Sequence, residues 1–180
     1  VADGKCFVVC SQPSHYGAVW HRVKEPVQDG FETTFTFRVV DKKKTGCGGF
    51  AFVIQNNSIY GLGRPWRHLG YGGLANSLAI EFDTYPDEVN DPKEPHVAIQ
   101  TTSGMLNWTA HKPPGCLGLS TTPSPFTDGK PHNVVIRYEN EIMSVFIDDM
   151  VLPLLLARVN LPELLELDEG KAWVGFTGAT

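Results

Sequence analysis

The chain has 180 residues, 42% of them apolar and 11% aromatic, with 18 glycines and 13 prolines, which suits one turn-rich β domain and excludes a disordered chain. A formal charge of −5 and one short basic run, Lys42, Lys43 and Lys44, exclude a phosphate-tracking surface, so no nucleic acid partner is expected. The longest apolar stretch, Val151 to Val159, is broken by Pro153 and Arg158 and falls far short of the roughly 20 residues of a spanning helix, so no membrane insertion is expected.

Val1 opens the chain without a basic and then apolar leader, the pattern of a mature product or of a piece of something larger. Strict alternation from Phe31 to Val39 sets Phe31, Thr33, Phe35, Phe37 and Val39 on one face and Glu32, Thr34, Thr36 and Arg38 on the other, a half-buried strand. Phe50 to Ile54 is a continuous apolar run bounded by glycines and asparagines, as expected inside a two-layer sandwich. Leu78 to Tyr85 alternates again, with Leu78, Ile80 and Phe82 on one face and Glu81, Asp83 and Tyr85 on the other.

Further strands are predicted at His96 to Thr102, Asn133 to Tyr138, Ile142 to Ile147 and Ala172 to Thr177. Glu139-Asn140-Glu141 makes a tight connection, so Val134 to Ile147 reads as a hairpin. A short helical turn is predicted at Pro162 to Leu167, where the proline suits a first helical position. Nothing divides the chain internally, so residues 1–180 are read as a single domain, an antiparallel sandwich rather than a parallel sheet.

Four cysteines, Cys6, Cys10, Cys47 and Cys116, allow three complete pairings and lack the paired spacing of a zinc site. Disulfides and unpaired thiols are equally compatible with that pattern. Two sequons, Asn56-Asn57-Ser58 and Asn107-Trp108-Thr109, point toward an extracellular or secretory route. His15, His21, His111 and His132 have no partner nearby in sequence and are expected as solvated or hydrogen-bonded residues rather than ligands.

The most informative stretch runs from Glu81 to His96. Glu81 and Asp83 share a strand face, and a loop carrying Pro86, Pro92 and Pro95 can fold Asp87, Asp91 and His96 back toward them. Clustered carboxylates without basic partners repel one another, so a hard cation is a reasonable resident. A mostly oxygen set with one imidazole suits calcium, or manganese or another transition metal where the imidazole binds. On spacing alone, an acidic exposed loop between two strands is an equal alternative.

Glu-Phe-Asp-Thr-Tyr at 81–85, followed by Asp91-Pro92 and His96, resembles the metal segment of the L-type (legume-type, concanavalin-like) lectin domain, in the style of its bacterial and legume members. The similarity extends to Gly30 through Phe37, Phe50 through Gln55, Leu69 through Gly73, Asp128 through Val134 and Val174 through Thr180. It implies an all-β, concanavalin-like jelly-roll sandwich of two antiparallel sheets, with an edge strand expected to be missing after Thr180. It also implies a two-metal site bridged by Asp83 and Asp91. Calcium would take Asp87 and the Tyr85 carbonyl as well, and a transition metal would take Glu81 and His96.

The resemblance also implies a sugar site, altered in each of its usual contacts. Where the family carries a loop aspartate before the Gly-Phe-Ala-Phe strand, this chain has Gly48 followed by Gly49. Asp87 stands where an asparagine amide donates. Pro65-Trp66-Arg67-His68 replaces a glycine-rich loop. Either Trp66, Arg67 and His68 rebuild a different pocket, with the ring stacking on a sugar face, or the pocket is filled and the domain binds a protein partner. The expected ligand is therefore a glycan or glycoprotein, with protein–protein recognition as the alternative. A glycoside hydrolase of the same fold is disfavoured. Retaining hydrolysis needs two carboxyls about 5 to 5.5 Å apart, and the second acid would fall at 85 or 86, which are Tyr85 and Pro86.

Overall fold

The computed structural model describes residues 15–40, 48–85, 91–101, 109, 111–122 and 126–180. Lys42 to Lys44, Cys6, Cys10, Cys47, Asp87, Asn107 and Trp108 lie outside the described residues. In chain order the strands are β1 (Tyr16–Trp20), β2 (Glu25–Pro26), β3 (Phe31–Phe37), β4 (Gly49–Gln55), β5 (Ser77–Asp83), β6 (His96–Thr101), β7 (Cys116–Thr121), β8 (His132–Glu139), β9 (Ile142–Ile147), β10 (Leu155–Arg158) and β11 (Lys171–Ala179). Every pairing among them is antiparallel.

One sheet runs β1-β11-β4-β5-β6-β7, with β2 also paired to β11, and the other runs β10-β9-β8-β3. Alternation decides what lies between them. Phe52, Ile54, Leu78, Ile80, Phe82, Val97 and Ile99 from the large sheet meet Val134, Ile136, Tyr138, Met143 and Val145 from the small one, with Phe31, Phe35 and Phe37 of β3 packed against them. The rings of Phe50 and Phe82 stack at 4.7 Å, and Phe35 meets Phe176 edge-on at 4.8 Å. Such aromatic pairs add about 0.5–1.5 kcal/mol each beyond area burial.

β4 and β5 are buried on both faces, because a second, smaller cluster covers the outer side of the large sheet. There Leu69, Tyr71 and Leu74 pack on Ala51, Val53 and Ala79, with Trp20 at the margin. The continuous apolar run at 50–54 is thus a central strand under two layers, as its lack of alternation predicts.

The hairpin is as expected. Glu139 pairs with Ile142, leaving Asn140 and Glu141 as a two-residue turn, both at positive φ (51° and 59°), which is the type I′ geometry. Other boundaries differ for local reasons. β3 ends at Phe37 rather than Val39. β5 ends at Asp83 because its Oδ1 accepts the Tyr85 N–H at 2.8 Å, turning the chain and leaving Tyr85 exposed instead of on the strand face. The helix spans Leu161–Leu164, shorter than predicted and started one residue earlier, where the Asn160 side chain caps Glu163 N. β1, β2, β7 and β10 carry no strong alternating signal. β10 is hidden in the apolar stretch after Val151, and within the strand Leu155 and Ala157 point inward.

Candidate functional site

The site is built on the outer face of β4, β5 and β6. Register puts Asp83 directly between Gly49 and His96, and Glu81 between Ala51 and Ala98. The small neighbours of Glu81 leave room above it, and Tyr71 and His111 fill that room. Tyr71, fully buried, donates its hydroxyl to Glu81 Oε2, and Gln100 donates to Glu81 Oε1 at 3.2 Å.

The loop carrying Tyr71 closes on itself. Gly63 N–H donates to Gly70 O at 2.6 Å, Arg64 N–H to Gly72 O at 2.8 Å, and Gly70 N–H to Arg64 O at 2.9 Å. A Cβ at Gly63 would stand 2.6 Å from Gly72 O, so the crossing tolerates no side chain there. At its tip Trp66–His68 form one 3-10 turn, with Trp66 at φ 58° and Leu69 at φ 45°.

His111 enters from the turn before β7, which is held to the end of β6 by Thr101 N–H on Gly115 O at 2.8 Å. Its Nε2 stands 2.5 Å from Glu81 Oε1 and 2.9 Å from His96 Nε2, and its Nδ1 lies 3.0 Å from Asp91 Oδ1. His96 Nε2 is 3.7 Å from the same Glu81 oxygen, and His96 Nδ1 contacts the Glu94 carbonyl at 3.2 Å. Of the two states expected for His111, solvated or hydrogen-bonded, the structure shows the second: its side chain is 6% exposed and sits at the centre of the cluster.

Burial opposes charge on every member of this group, and the contacts decide who wins. Glu81 is held down to about 2 despite burial, because His111, His96 and Tyr71 all hydrogen-bond its charged form. His111 is pushed up to about 10, against the desolvation that disfavours its cation, by the carboxylates of Asp91 and Glu81. Asp83 moves the other way: burial first, and then the charge of Glu81, push its carboxyl well above the usual range. The imidazolium of His111 therefore offsets the carboxylate charge in the metal-free cluster, while burial and the Glu81 charge favour the neutral form of Asp83.

This donor set fits a metal. Glu81, His96 and His111 offer one ligand atom each within 4.8 Å of one another, and Asp83 and Asp91 stand close enough for their charges to be felt by Tyr71 beside them. Of the predicted metal residues, Glu81, Asp83, Asp91 and His96 are brought together. Tyr85 has its side chain in solvent just past β5.

Of the predicted sugar residues, Gly48 accepts the Thr84 N–H through its carbonyl at 3.2 Å, and a Cβ on it would lie 3.6 Å from Trp66 O, so the two loops meet beside the metal segment. The Trp66 side chain is 66% exposed, which is not the loop-base packing that an amphipathic ring often adopts. Arg67 is exposed. His68 points its Nδ1 at Thr109 Oγ1, 2.9 Å away, and packs over Gly72. Asn56, first residue of one sequon, donates its amide to Glu166 O at 2.8 Å.

Sequence reasoning missed His111, Tyr71 and Gln100 as site residues. Period-two spacing from His96 could have found Gln100 on the same face, whereas the other two reach the site from loops.

A two-layer antiparallel sandwich of this kind defines a fold class that comparison confirms. The legume lectin domain model matches residues 18–180, and the chain belongs to that family. A lectin of Leucomphalos mildbraedii is 34% identical over 82 residues, covering 41% of this chain and 34% of that protein. A lectin of Erythrina crista-galli is 26% identical over 166 residues, covering 83% and 62%. The chain thus spans less than two thirds of either lectin's length. Among solved structures, lectin II from Ulex europaeus superposes with a TM-score of 0.71 at 22% identity, over 93% of this chain and 75% of that one. The exoplasmic/lumenal domain of VIP36 in its Ca2+/Man-bound form gives 0.67 at 19% identity, over 94% and 68%.

Proposed function

We propose that this domain is a non-enzymatic carbohydrate or glycoprotein recognition module whose binding loop is held in place by bound metal. The observation that carries the reading is the path from the solvent-facing Trp66 ring, through the self-closed loop, to Tyr71 and its hydrogen bond on Glu81. A cation among the carboxylates would neutralise them and hold the residues that anchor this loop. Asp83, Asp91 and the Tyr85 carbonyl offer oxygens to calcium, with Asp87 expected from the sequence to join them, and Glu81 and His96 add what manganese or another transition ion takes. The Ca2+/Man-bound neighbour supports calcium and a glycan by analogy, and the lumenal origin of that neighbour supports an extracellular or secretory setting.

Gly48 offers no carboxylate to a sugar, and hydrogen bonds to a charged partner contribute about 1.5–3 kcal/mol each. Free mannose or galactose therefore binds weakly, and a useful ligand is an extended glycan that covers Trp66 and reaches Arg67 or His68. Catalysis is disfavoured because Glu81 is 1% exposed and committed to hydrogen bonds, out of reach of a glycosidic oxygen.

A second reading, a lectin-like domain that has lost sugar binding and serves protein recognition, is favoured by one observation. Met150, Val151, Leu152 and Leu156 expose their side chains along one short segment around β10. A glycan array with and without chelator separates the two. Metal-dependent binding of extended glycans, lost in Trp66→Ala, supports the first. Sub-millimolar binding of a free monosaccharide that Trp66→Ala leaves unchanged overturns this account of the pocket.

A further inference from the structure

The metal segment accounts for Glu81 and His96 but not for His111, which comes from a different loop and aims the same kind of atom at the same point. The tautomers explain why that convergence is unusual. His96 Nδ1 faces the Glu94 carbonyl at 3.2 Å and His111 Nδ1 faces Asp91 Oδ1 at 3.0 Å, and both of those partners only accept. With a proton on each Nδ1, both Nε2 atoms present lone pairs. They lie 2.9 Å apart and at 3.7 and 2.5 Å from Glu81 Oε1, which is also an acceptor. Without the Nε2 proton that His111 carries in the metal-free chain, these three acceptors converge on one spot, and a metal ion can take that proton's place.

The donor types select among cations. Separations of 2.5, 2.9 and 3.7 Å suit the ligand edges of tetrahedral and octahedral ions alike, whereas imidazole nitrogens suit zinc better than manganese. Two imidazoles and one carboxylate, with the remaining position left for water, form a zinc-type set. They lack the six or more oxygens that calcium takes and the octahedral oxygen set of manganese. The outer partners fit as well. Asp91 behind His111 makes the carboxylate–histidine pair that orients metal-binding imidazoles, and Tyr71 and Gln100 hold the Glu81 carboxylate from both oxygens. All three ligand side chains are nearly enclosed.

We propose that His111 is a direct metal ligand in this chain, completing with Glu81 and His96 a three-ligand site that selects a zinc-class ion over manganese. The inference rests on the metal-binding reading above and deepens it. The neighbouring oxygens of Asp83, Asp91 and the Tyr85 carbonyl remain a separate set for calcium.

The test uses metal-stripped protein titrated separately with zinc, cobalt(II), manganese and calcium, read by thermal unfolding and, for cobalt, by visible absorption. Expected are a zinc-dependent rise in Tm and the intense visible bands of four- or five-coordinate cobalt. Manganese should compete poorly. His111→Gln, which keeps a polar side chain of similar reach, should lower zinc and cobalt affinity by about 100-fold, at or beyond what outer-shell partners contribute, and leave calcium stabilisation intact. His96→Gln should do the same, while a surface variant, His21→Gln, changes nothing.

Weak six-coordinate cobalt bands, or zinc affinity unaltered in His111→Gln, overturn the inference. If calcium still stabilises the protein in that case, the metal-dependent reading of the domain survives without it. If no ion raises Tm, both fail. A His111→Gln protein whose metal-free unfolding curve is already broadened is replaced by His111→Asn, and the affinity comparison is made on that variant.

Discussion

Gly49 on β4 stands directly across from Asp83 on β5, and a Cβ placed on it would fall 2.3 Å from the Phe82 carbonyl oxygen. Gly49 also sits at φ 137°, which L side chains rarely adopt. Gly49→Ala is therefore expected to cost about 2 kcal/mol or more in urea unfolding and to spoil the position of Asp83, seen as loss of calcium stabilisation. An unchanged midpoint with intact calcium response would show that the two strands separate freely here.

Asp83 is a buried carboxyl whose affinity for a proton is raised by burial and by the Glu81 charge, so its charged form is disfavoured when no cation is near. Asp83→Asn should consequently leave metal-free stability unchanged or slightly raised at neutral pH, while abolishing stabilisation by calcium. For the wild type, calcium at 100 times its Kd should add about 2.7 kcal/mol. Parallel denaturant titrations with calcium and with chelator check both halves, and a strongly destabilised metal-free Asp83→Asn would contradict the protonation argument.

Core and surface aromatics should separate cleanly. Phe82, fully buried and stacked on Phe50, should cost about 3–5 kcal/mol as Phe82→Ala. Trp66→Ala should change stability by less than about 0.5 kcal/mol yet weaken binding of any glycan ligand. Equal losses of stability in the two variants would mean that Trp66 is a packing residue.

His132 gives the fold a pH dependence away from the metal cluster. Its Nδ1 lies 2.7 Å from Asp148 and its Nε2 3.1 Å from Asp128. Burial lowers its affinity for a proton, but the two carboxylates outweigh burial and raise it, while Asp148 is lowered in return, its own burial outweighed by His132 and the Asn133 N–H. A raised histidine contributes fully below its unfolded value of about 6.5 and loses that contribution as pH rises through the folded value. A lowered aspartate contributes above about 3.9 and loses it as pH falls. Their joint contribution is therefore greatest between about pH 4 and 6.5. His132→Asn should cost more stability at pH 5.5 than at pH 9, measured by urea unfolding in metal-free buffer, and an equal cost at both would refute the linkage.

What local pattern can carry is legible in the amino-acid sequence itself. Period-two alternation assigns the inward and outward faces of β3 and β5, Glu81 and Asp83 on the latter's outer face included, and the unbroken apolar run at 50–54 marks a strand covered on both sides. These readings hold because the direction of a side chain along a strand follows from backbone geometry alone. Spacing alone leaves the segment from Glu81 to His96 open between an acidic loop and a metal site, and the resemblance to the lectin family favours the metal site.

The tertiary structure decided the rest. His111 is fifteen positions beyond His96 and reaches it only because the turn before β7 folds back over β6, and Tyr71 meets Glu81 only because a glycine-closed loop lies across the outer face of the sheet. Neither contact has a sequence period, since each depends on where a loop lands rather than on how a strand alternates. The physical result is that a run of acids which by itself suggests an oxygen-rich cation site becomes a cluster with two imidazole nitrogens 2.9 Å apart.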